Sequence, residues 1–179
     1  MKCVIVGDGG IGKTCLLIVL TSNKFPEEYV PTLSDLEFLQ IQSNKTSFQF
    51  NIWDSCASGS YDRLRPLSYD NADVFLVCYS IDSQLSLCAV TSKWLPEIQQ
   101  YQPTVPFILV GMKSDLIETN RQLVTLEEAE QIAQQYGAFS HVQCSSLNGF
   151  NLKLVVHTAV QAACKWKVQI KQRKGICKK

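Results

Sequence analysis

Long apolar runs, a secretory signal and internal repeats are all missing from this chain of 179 residues. Its longest apolar runs, such as Cys15 to Leu20, hold six residues, whereas about 20 are needed to span a bilayer. The opening residues MKCVIVG lack the apolar core of a secretory signal. Eight cysteines are too few for a disulfide scaffold of this length, and without an export signal we interpret them as reduced thiols. These absences predict a cytoplasmic protein.

Basic and acidic residues are distributed unevenly between the body of the chain and its end. Residues 165–179 contain seven basic and no acidic residues, out of 17 basic and 16 acidic residues in all. Residues 1–164 therefore hold 10 basic against 16 acidic residues, a net charge of −6. A basic end on an acidic body is typical of a tail that binds an anionic membrane surface. The alternative is a solvated end that only keeps the protein soluble.

Short apolar runs alternate along the chain with longer segments of helical periodicity. The runs predict strands at Lys2–Val6, Leu36–Gln42 (an edge strand), Thr46–Trp53, Val74–Tyr79, Phe107–Gly111 and Ser140–Cys144. The periodic segments predict helices at Lys13–Ser22, Ser86–Gln100, Leu126–Tyr136 and Leu152–Lys171, with a capping box from Thr125 to Glu128. This alternation indicates an α/β fold with a mostly parallel six-stranded sheet, helices on both faces and a ligand at the carboxyl ends of the strands. We divide the chain into one domain, residues 1–164, and a basic tail, residues 165–179.

The segment GDGGIGKT, from Gly7 to Thr14, fits the G-x-x-x-x-G-K-[ST] phosphate loop and lies between a predicted strand and a predicted helix. Small glycines allow backbone N–H groups to surround a phosphate, and the helix start adds positive potential. In such a loop Lys13 reaches the β- and γ-phosphates and Thr14 offers its hydroxyl to Mg²⁺. The alternative is a glycine-rich turn that only begins a helix. The contacts predicted for this loop come from Gly9, Gly10, Ile11, Gly12, Lys13, Thr14 and Cys15.

Three further strand ends carry residues suited to a nucleotide. Asp54 follows an apolar run, where a carboxylate can hold a metal ion through water, although an Asp after a strand can also be a turn residue. Asp115 in VGMKSDL can accept hydrogen bonds from the N1–H and amino group of guanine, and Lys113 can lay its stem along the base. In CSSL, the backbone N–H groups of Ser145 and Ser146 can meet the guanine carbonyl.

With these motifs the chain resembles a small GTPase of the Ras superfamily, and specifically of its Rho family, over residues 2 to about 165. The matching segments are DGGIGKTCLL, TSNKFPEEYVPT, YDRLRPLSY, DVFLVCYS and KWLPEI. Of these, DRLRPLSY together with KWLPEI separates Rho-like chains from Ras-like and Rab-like ones. Trp53 and Tyr61 resemble the Rac-like branch.

The resemblance implies a P-loop NTPase domain that binds GTP and GDP with Mg²⁺ and signals as a monomer, in the cytoplasm or on the inner face of the plasma membrane. It implies that Phe25 packs against the base and that Thr32 binds Mg²⁺ and the γ-phosphate. Two switch regions, residues 25–37 and 54–66, are then expected to bind effector proteins and exchange factors, in cytoskeletal signalling. No nucleic-acid partner is expected.

Several residues depart from the family pattern. Where the family has D-T-A-G-Q-E, this chain has Asp54-Ser55-Cys56-Ala57-Ser58-Gly59. Ala57 therefore replaces the glycine that senses the γ-phosphate, and Ser58 replaces the glutamine that orients the attacking water. Met112 replaces the Thr or Asn before the base-reading Lys113. Other departures are Ser34 and Leu36 in the effector segment, a spacing from Asp115 to Ser145 that leaves no room for the Rho insert helix, and Cys177, which two rather than three residues follow.

Two hypotheses follow from these departures. In the first, the chain is a slow GTPase whose catalytic set is Lys13, Thr32 and a degenerate Ser58. In the second, it is a pseudo-GTPase that is held in one nucleotide state and acts as a scaffold. Cys56 is either a redox site or a small residue that its loop tolerates. We interpret His141 and His157 as structural.

Overall fold

The computed structural model describes residues 1–27, 34–43, 46–55, 57–119 and 123–176, with only the backbone described for most of residues 34–48 and for residues 173–176. Within these residues, six strands form one sheet in the order β2-β3-β1-β4-β5-β6. β2 pairs with β3 antiparallel, whereas the other neighbouring pairs are parallel. The mostly parallel sheet and the edge strand predicted from sequence are thus confirmed. The strands are β1 (Lys2–Gly7), β2 (Ser34–Ser43), β3 (Thr46–Ser55), β4 (Val74–Ser80), β5 (Phe107–Met112) and β6 (Ser140–Gln143).

The predicted helices are confirmed, with one irregularity. The segment predicted as one helix from Ser86 to Gln100 consists of α2, a π-helical turn at Val90–Trp94, and α3. Thr125 and Glu128 form the reciprocal hydrogen bonds of a capping box at the start of α4. The α-helices are α1 (Lys13–Ser22), α2 (Gln84–Ala89), α3 (Leu95–Tyr101), α4 (Leu126–Gln135) and α5 (Leu152–Ile176).

Apolar side chains cover the sheet on both faces. β4 is buried along its whole length, because alternate residues enter opposite core clusters. Leu76 and Cys78 pack with residues of α1 and α5, whereas Phe75 and Val77 pack with residues of α2, α3 and α4. Burial on both faces is why the strand is continuously apolar rather than alternating.

Helix α5 continues into the segment that the sequence marks as a basic tail. Lys167 Nζ donates a 2.7 Å hydrogen bond to Asp73 Oδ2, and the Lys165 ammonium lies 5.4 Å from the ring centre of Phe139. The first turns of the tail are therefore attached to the domain. Cys177 lies outside the described residues. In the part of the chain that the structure describes, no helix has the length and apolar character needed to cross a membrane.

Short turns connect the remaining elements around the sheet. Two 3₁₀ turns, Gly59–Tyr61 and Arg65–Tyr69, lie between β3 and β4, and a third, Ser114–Ile117, follows β5. Between Ile117 and the start of α4 at Leu126, the described residues 118, 119 and 123–125 form no helix, consistent with the missing insert.

Candidate functional site

The carboxyl ends of four of the five parallel strands bring the described site residues to one edge of the sheet. β1 leads into the phosphate loop, β3 ends next to Asp54, and β5 and β6 end at the two predicted base-reading segments. In open sheets of this kind, the crevice beyond these strand ends is where ligands bind. Thr32 and Cys56, also predicted for this region, lie outside the described residues.

Three glycines of the phosphate loop occupy positions where a larger residue would be strained. Gly10 and Gly12 have φ angles of 73° and 103°, in the left-handed region that glycine adopts without strain. A Cβ on Gly7 would lie 2.5 Å from the Cys78 carbonyl oxygen, so β1 and β4 approach too closely for a side chain. Around Gly9 and Gly10 a Cβ would meet nothing within 4 Å, so this side of the loop is open.

Lys13 lies inside the curve of this loop rather than on the surface. Its side chain is largely buried, and Nζ donates hydrogen bonds of 2.8 Å to the Gly7 carbonyl and 2.6 Å to the Asp8 carbonyl. Two carbonyl oxygens thus hold the ammonium at the N-terminus of α1, where unpaired N–H groups already favour an anion. The arrangement concentrates positive charge beside the open side of the loop.

Thr14 and Asp54, both predicted as metal ligands, are brought into contact by the pairing of β1 with β3. Thr14 Oγ1 donates a 2.7 Å hydrogen bond to Asp54 Oδ2, and Asp54 is 1% exposed. Ser55 anchors the end of β3, since its hydroxyl donates to the Ile5 carbonyl at 2.5 Å. A hydroxyl and a carboxylate oxygen are hard donors of the kind that Mg²⁺ prefers.

The two predicted base-reading segments are joined to one another. Ser145 Oγ donates to Asp115 Oδ1 at 2.5 Å, and the Ser114 N–H donates to the Cys144 carbonyl at 3.0 Å. Lys113 has a φ of 62°, which is uncommon for a residue with a side chain, and its Nζ lies 3.5 Å from Asp82 Oδ2. The hydrogen bond from Ser145 thus orients the Asp115 carboxylate, and the Ser114–Cys144 bond holds the two segments together.

Phe25 and Ser146 line a cleft beside these segments. The cleft has a volume of about 340 Å³, and its wall is shared by the end of α1 and the start of α5. Phe25 is 44% exposed, which leaves its ring available to a ligand. The Ser146 hydroxyl oxygen is buried and has no hydrogen-bond partner among the described residues.

Met112 is buried beneath the phosphate loop. Its Cε would lie 3.6 Å from a Cβ on Gly12, and Cys144 Sγ lies 3.8 Å from its sulfur. Burial raises the pKa of the Cys144 thiol to about 12, so the contact is between neutral groups. The Met112 side chain therefore lies between the Gly12 backbone of the phosphate loop and Cys144 directly after β6.

Ala57 and Ser58 do not reproduce the groups they replace. Ala57 packs partly against the core cluster on the α2–α4 face. Ser58 is exposed, and its hydroxyl accepts a 3.4 Å hydrogen bond from the Ser60 N–H at the start of a 3₁₀ turn. This bond is local, as expected for a serine that caps a turn.

Cys15 follows Thr14 on the first turn of α1 and is half-buried. Burial raises the pKa of its thiol, and a backbone hydrogen bond and the charge of Lys113 only partly offset this rise. At neutral pH the thiol is therefore protonated and poorly nucleophilic.

Sequence reasoning missed the contact between Asp8 and Trp94. Trp94 Nε1 donates a 2.9 Å hydrogen bond to Asp8 Oδ1, and the indole is 1% exposed. The two residues are 86 positions apart, so no local pattern relates them. The helical periodicity predicted one continuous helix here and did not indicate the π turn that contains Trp94.

Comparisons with known proteins agree with this geometry. A family model described as the Ras family matches residues 2–165. The GTP-binding protein RHO4 of Saccharomyces cerevisiae is 44% identical over 163 residues, 89% of this chain and 56% of that protein. The Ras-like GTP-binding protein RhoL of Drosophila melanogaster is 44% identical over 163 residues, 90% of this chain and 86% of that protein. The chain thus spans little more than half of the yeast relative and most of the fly relative. It belongs to the Ras family of small GTPases and, within it, to the Rho family.

Proposed function

We propose that this chain binds GTP and GDP at the carboxyl edge of its sheet and hydrolyses GTP slowly, so that it acts as a long-lived signalling switch. The observation that carries the proposal is the convergence of three groups at this edge. They are the Lys13 ammonium in the phosphate loop, the Thr14–Asp54 pair, and the Asp115–Ser145 pair. Membership in the Rho family supports a nucleotide as the ligand.

Phosphate binding depends on the open side of the loop. The exposed backbone around Gly9 and Gly10 and the N-terminus of α1 offer N–H groups to a β-phosphate. Lys13 is already directed into the loop by the carbonyls of Gly7 and Asp8. Its ammonium would add charge stabilisation to the β- and γ-phosphates.

The Thr14–Asp54 pair fits Mg²⁺. Thr14 would hold the ion directly and Asp54 through water, and Thr32 is proposed as a further ligand. When bound, the ion neutralises charge between the β- and γ-phosphates. The 2.7 Å hydrogen bond from Thr14 to Asp54 holds the hydroxyl and carboxylate oxygens close together, so that both can serve one metal ion.

Base selection is assigned to Asp115. Its carboxylate, oriented by Ser145, accepts two hydrogen bonds that guanine can donate and adenine cannot. A site that pairs buried polar groups rejects the wrong ligand strongly, because a mismatch leaves those groups unpaired. GTP should therefore outcompete ATP. A Thr or Asn at position 112 could donate a side-chain hydrogen bond to the phosphate loop, and Met112 cannot. We therefore expect nucleotide release to be fast.

Hydrolysis is expected to be impaired because Ser58 cannot orient the attacking water as the glutamine that it replaces would. Its side chain is shorter by two carbons and has no carbonyl, and its hydroxyl is engaged by the Ser60 N–H. An arginine from an activating protein would add charge but would have no glutamine to position. The effect is expected on rate more than on nucleotide affinity.

Partners are proposed to be effector proteins and exchange factors that bind the switch regions, and an anionic membrane that binds the basic tail. Leu64 in the second switch region and Leu67 directly after it, 57% and 73% exposed, provide apolar contact area. Each basic residue near an anionic surface contributes about 1 kcal/mol, and salt screens this attraction. Liposome co-sedimentation should therefore fall with rising salt and with neutral lipid.

A pseudo-GTPase scaffold is the second candidate, favoured by the same Ala57 and Ser58. The nucleotide carried by freshly purified protein separates the alternatives. Protein that carries mostly GTP supports a switch held in the GTP state, and protein that carries GDP supports residual hydrolysis. Protein that carries no nucleotide contradicts both alternatives. Lys13→Ala provides the control, since it should lose most nucleotide affinity in titration calorimetry. A Lys13→Ala variant that binds GTP as tightly as the parent removes this residue from the site.

A further inference from the structure

Trp94 lies between the phosphate loop and the second switch region and contacts both. Its indole N–H donates to Asp8 Oδ1 in the loop at 2.9 Å. The Arg65 guanidinium lies 4.7 Å from the centre of its ring, within the range of a cation–π contact. The residue belongs to a π-helical turn, and such turns are frequent at functional sites.

Arg65 is held in this position by carboxylates. Its Nε and one terminal nitrogen bind the two oxygens of Glu97 at 2.9 and 2.6 Å, and that terminal nitrogen binds Asp62 at 2.6 Å. Tyr69 also donates a hydrogen bond to Glu97. The Arg65 side chain is 1% exposed. Residues 62–69 are therefore attached to α3, which follows Trp94, through a charge-assisted network around the buried Arg65 side chain.

Asp8, the loop residue that binds Trp94, also binds Lys13. The Asp8 carbonyl accepts a 2.6 Å hydrogen bond from Lys13 Nζ, while the Asp8 carboxylate accepts the hydrogen bond from the Trp94 indole. One residue thus connects the ammonium that faces the phosphates to the indole beneath Arg65. Lys93 lies on the same network, because its ammonium is 4.7 Å from the Trp94 ring centre and 3.2 Å from Asp62.

We propose that Trp94 is a positioning residue that transmits the nucleotide state of the phosphate loop to residues 59–69, through its hydrogen bond to Asp8 and its contact with Arg65. This inference rests on the proposed function, since it requires that the loop binds a nucleotide. The exposed Leu64 and Leu67 lie on the segment that Trp94 would control.

The test uses Trp94→Phe, which keeps a buried aromatic ring but removes the N–H donor. Hydrogen exchange of residues 59–69 is measured by mass spectrometry in the full chain loaded with GDP or with a non-hydrolysable GTP analogue. The parent should show different exchange rates in the two states. In Trp94→Phe the ratio of these rates should fall toward one, and the dissociation rate of labelled GDP should rise about threefold to tenfold, as expected for the loss of one hydrogen bond of ordinary net strength.

Three variants control for a general loss of structure. Asp8→Ala removes the acceptor and should reproduce Trp94→Phe, and it carries the test alone if Trp94→Phe does not fold. Asp8→Asn keeps an oxygen acceptor and should retain the nucleotide-dependent exchange. Trp166→Phe removes an indole packed against the same core cluster, away from the phosphate loop, and should leave the exchange ratio unchanged.

The outcomes separate this inference from the proposed function. A parent that shows no binding of labelled GDP at equilibrium contradicts the proposed function and the inference together. A parent that binds nucleotide, but whose residues 59–69 exchange at one rate in both states, overturns the inference alone. The inference is also wrong if Trp94→Phe and Asp8→Ala keep the full exchange ratio of the parent.

Discussion

The hydroxyl of Thr14 donates a 2.7 Å hydrogen bond to the buried carboxylate of Asp54, which joins the first turn of α1 to the end of β3. Forty positions separate these residues, and the parallel pairing of β1 with β3 brings them together. The Thr14 hydroxyl has two roles, because it donates a hydrogen bond to the buried Asp54 carboxylate and is also a proposed ligand of the metal ion. Both roles can be measured separately.

Thr14→Ala should lower the free energy of unfolding by about 1–3 kcal/mol, since Asp54 loses a donor to a buried charged group. Urea titration with a chelator present measures this loss without a metal. Thr21→Ala is the matched control on the same helix, because the Thr21 hydroxyl only donates to carbonyls of its own helix. A loss of stability no larger than that of Thr21→Ala would contradict the role given to this pair. In addition, Mg²⁺ should slow GDP release from the parent but not from Thr14→Ala.

Met112→Ala should remove the sulfur contact between Met112 and Cys144 and leave a cavity beneath Gly12. The expected loss of stability is about 2–4 kcal/mol, as for other large-to-small substitutions in a core. Release of labelled GDP should accelerate, because Gly12 loses the side chain beneath it. Met112→Leu, which conserves volume, should cost less than about 1.5 kcal/mol. If release is unchanged although stability falls, Met112 supports the core but not the loop.

Ala57→Gly/Ser58→Gln should restore GTP hydrolysis. The glutamine side chain is long enough to bring a carbonyl to the attacking water, and glycine allows the loop a wider range of backbone torsion angles. Single-turnover hydrolysis of bound GTP compares the double variant with the parent, and titration calorimetry should give similar affinities for the two. A parent that already hydrolyses GTP as fast as the double variant would mean that another group orients the water.

His141 should make the protein less stable in mild acid. Its Nε2 lies 3.0 Å from the Tyr79 hydroxyl, and burial lowers the pKa of the imidazole, with the Glu130 charge opposing part of that change. The unfolded chain therefore takes up a proton at about pH 6.5, before the folded protein does. Stability should accordingly fall as the pH drops below 6.5.

Denaturant titrations at pH 7.5 and 5.5 measure this dependence. His141→Gln, which keeps a side chain able to bond Tyr79, should show a smaller loss of stability between the two pH values than the parent. Equal losses in the two proteins would assign the pH dependence to other groups. Burial also raises the pKa of Tyr79 to about 12, so its hydroxyl stays protonated throughout this range.

The helices, strands and order of elements could be predicted from the sequence because they depend on local signals. Buried parallel strands are continuous apolar runs, surface helices repeat at three and four residues, and the Thr125–Glu128 box marks the start of α4. The phosphate loop could be predicted too, since its glycines and Lys13 are adjacent in the chain. The π turn at Val90–Trp94 could not, because the apolar periodicity that predicts a helix there does not distinguish one π turn from an α turn.

The sequence by itself determined the type of domain, the family, and the identity of the groups at the strand ends, because those features reside in short contiguous motifs. Only the tertiary structure decided which of these groups meet. Thr14 with Asp54, Asp115 with Ser145, and Asp8 with Trp94 are pairs separated by 40, 30 and 86 positions. Such contacts depend on the order and register of the strands, and on the packing of a helix against the loop, which a local pattern does not contain.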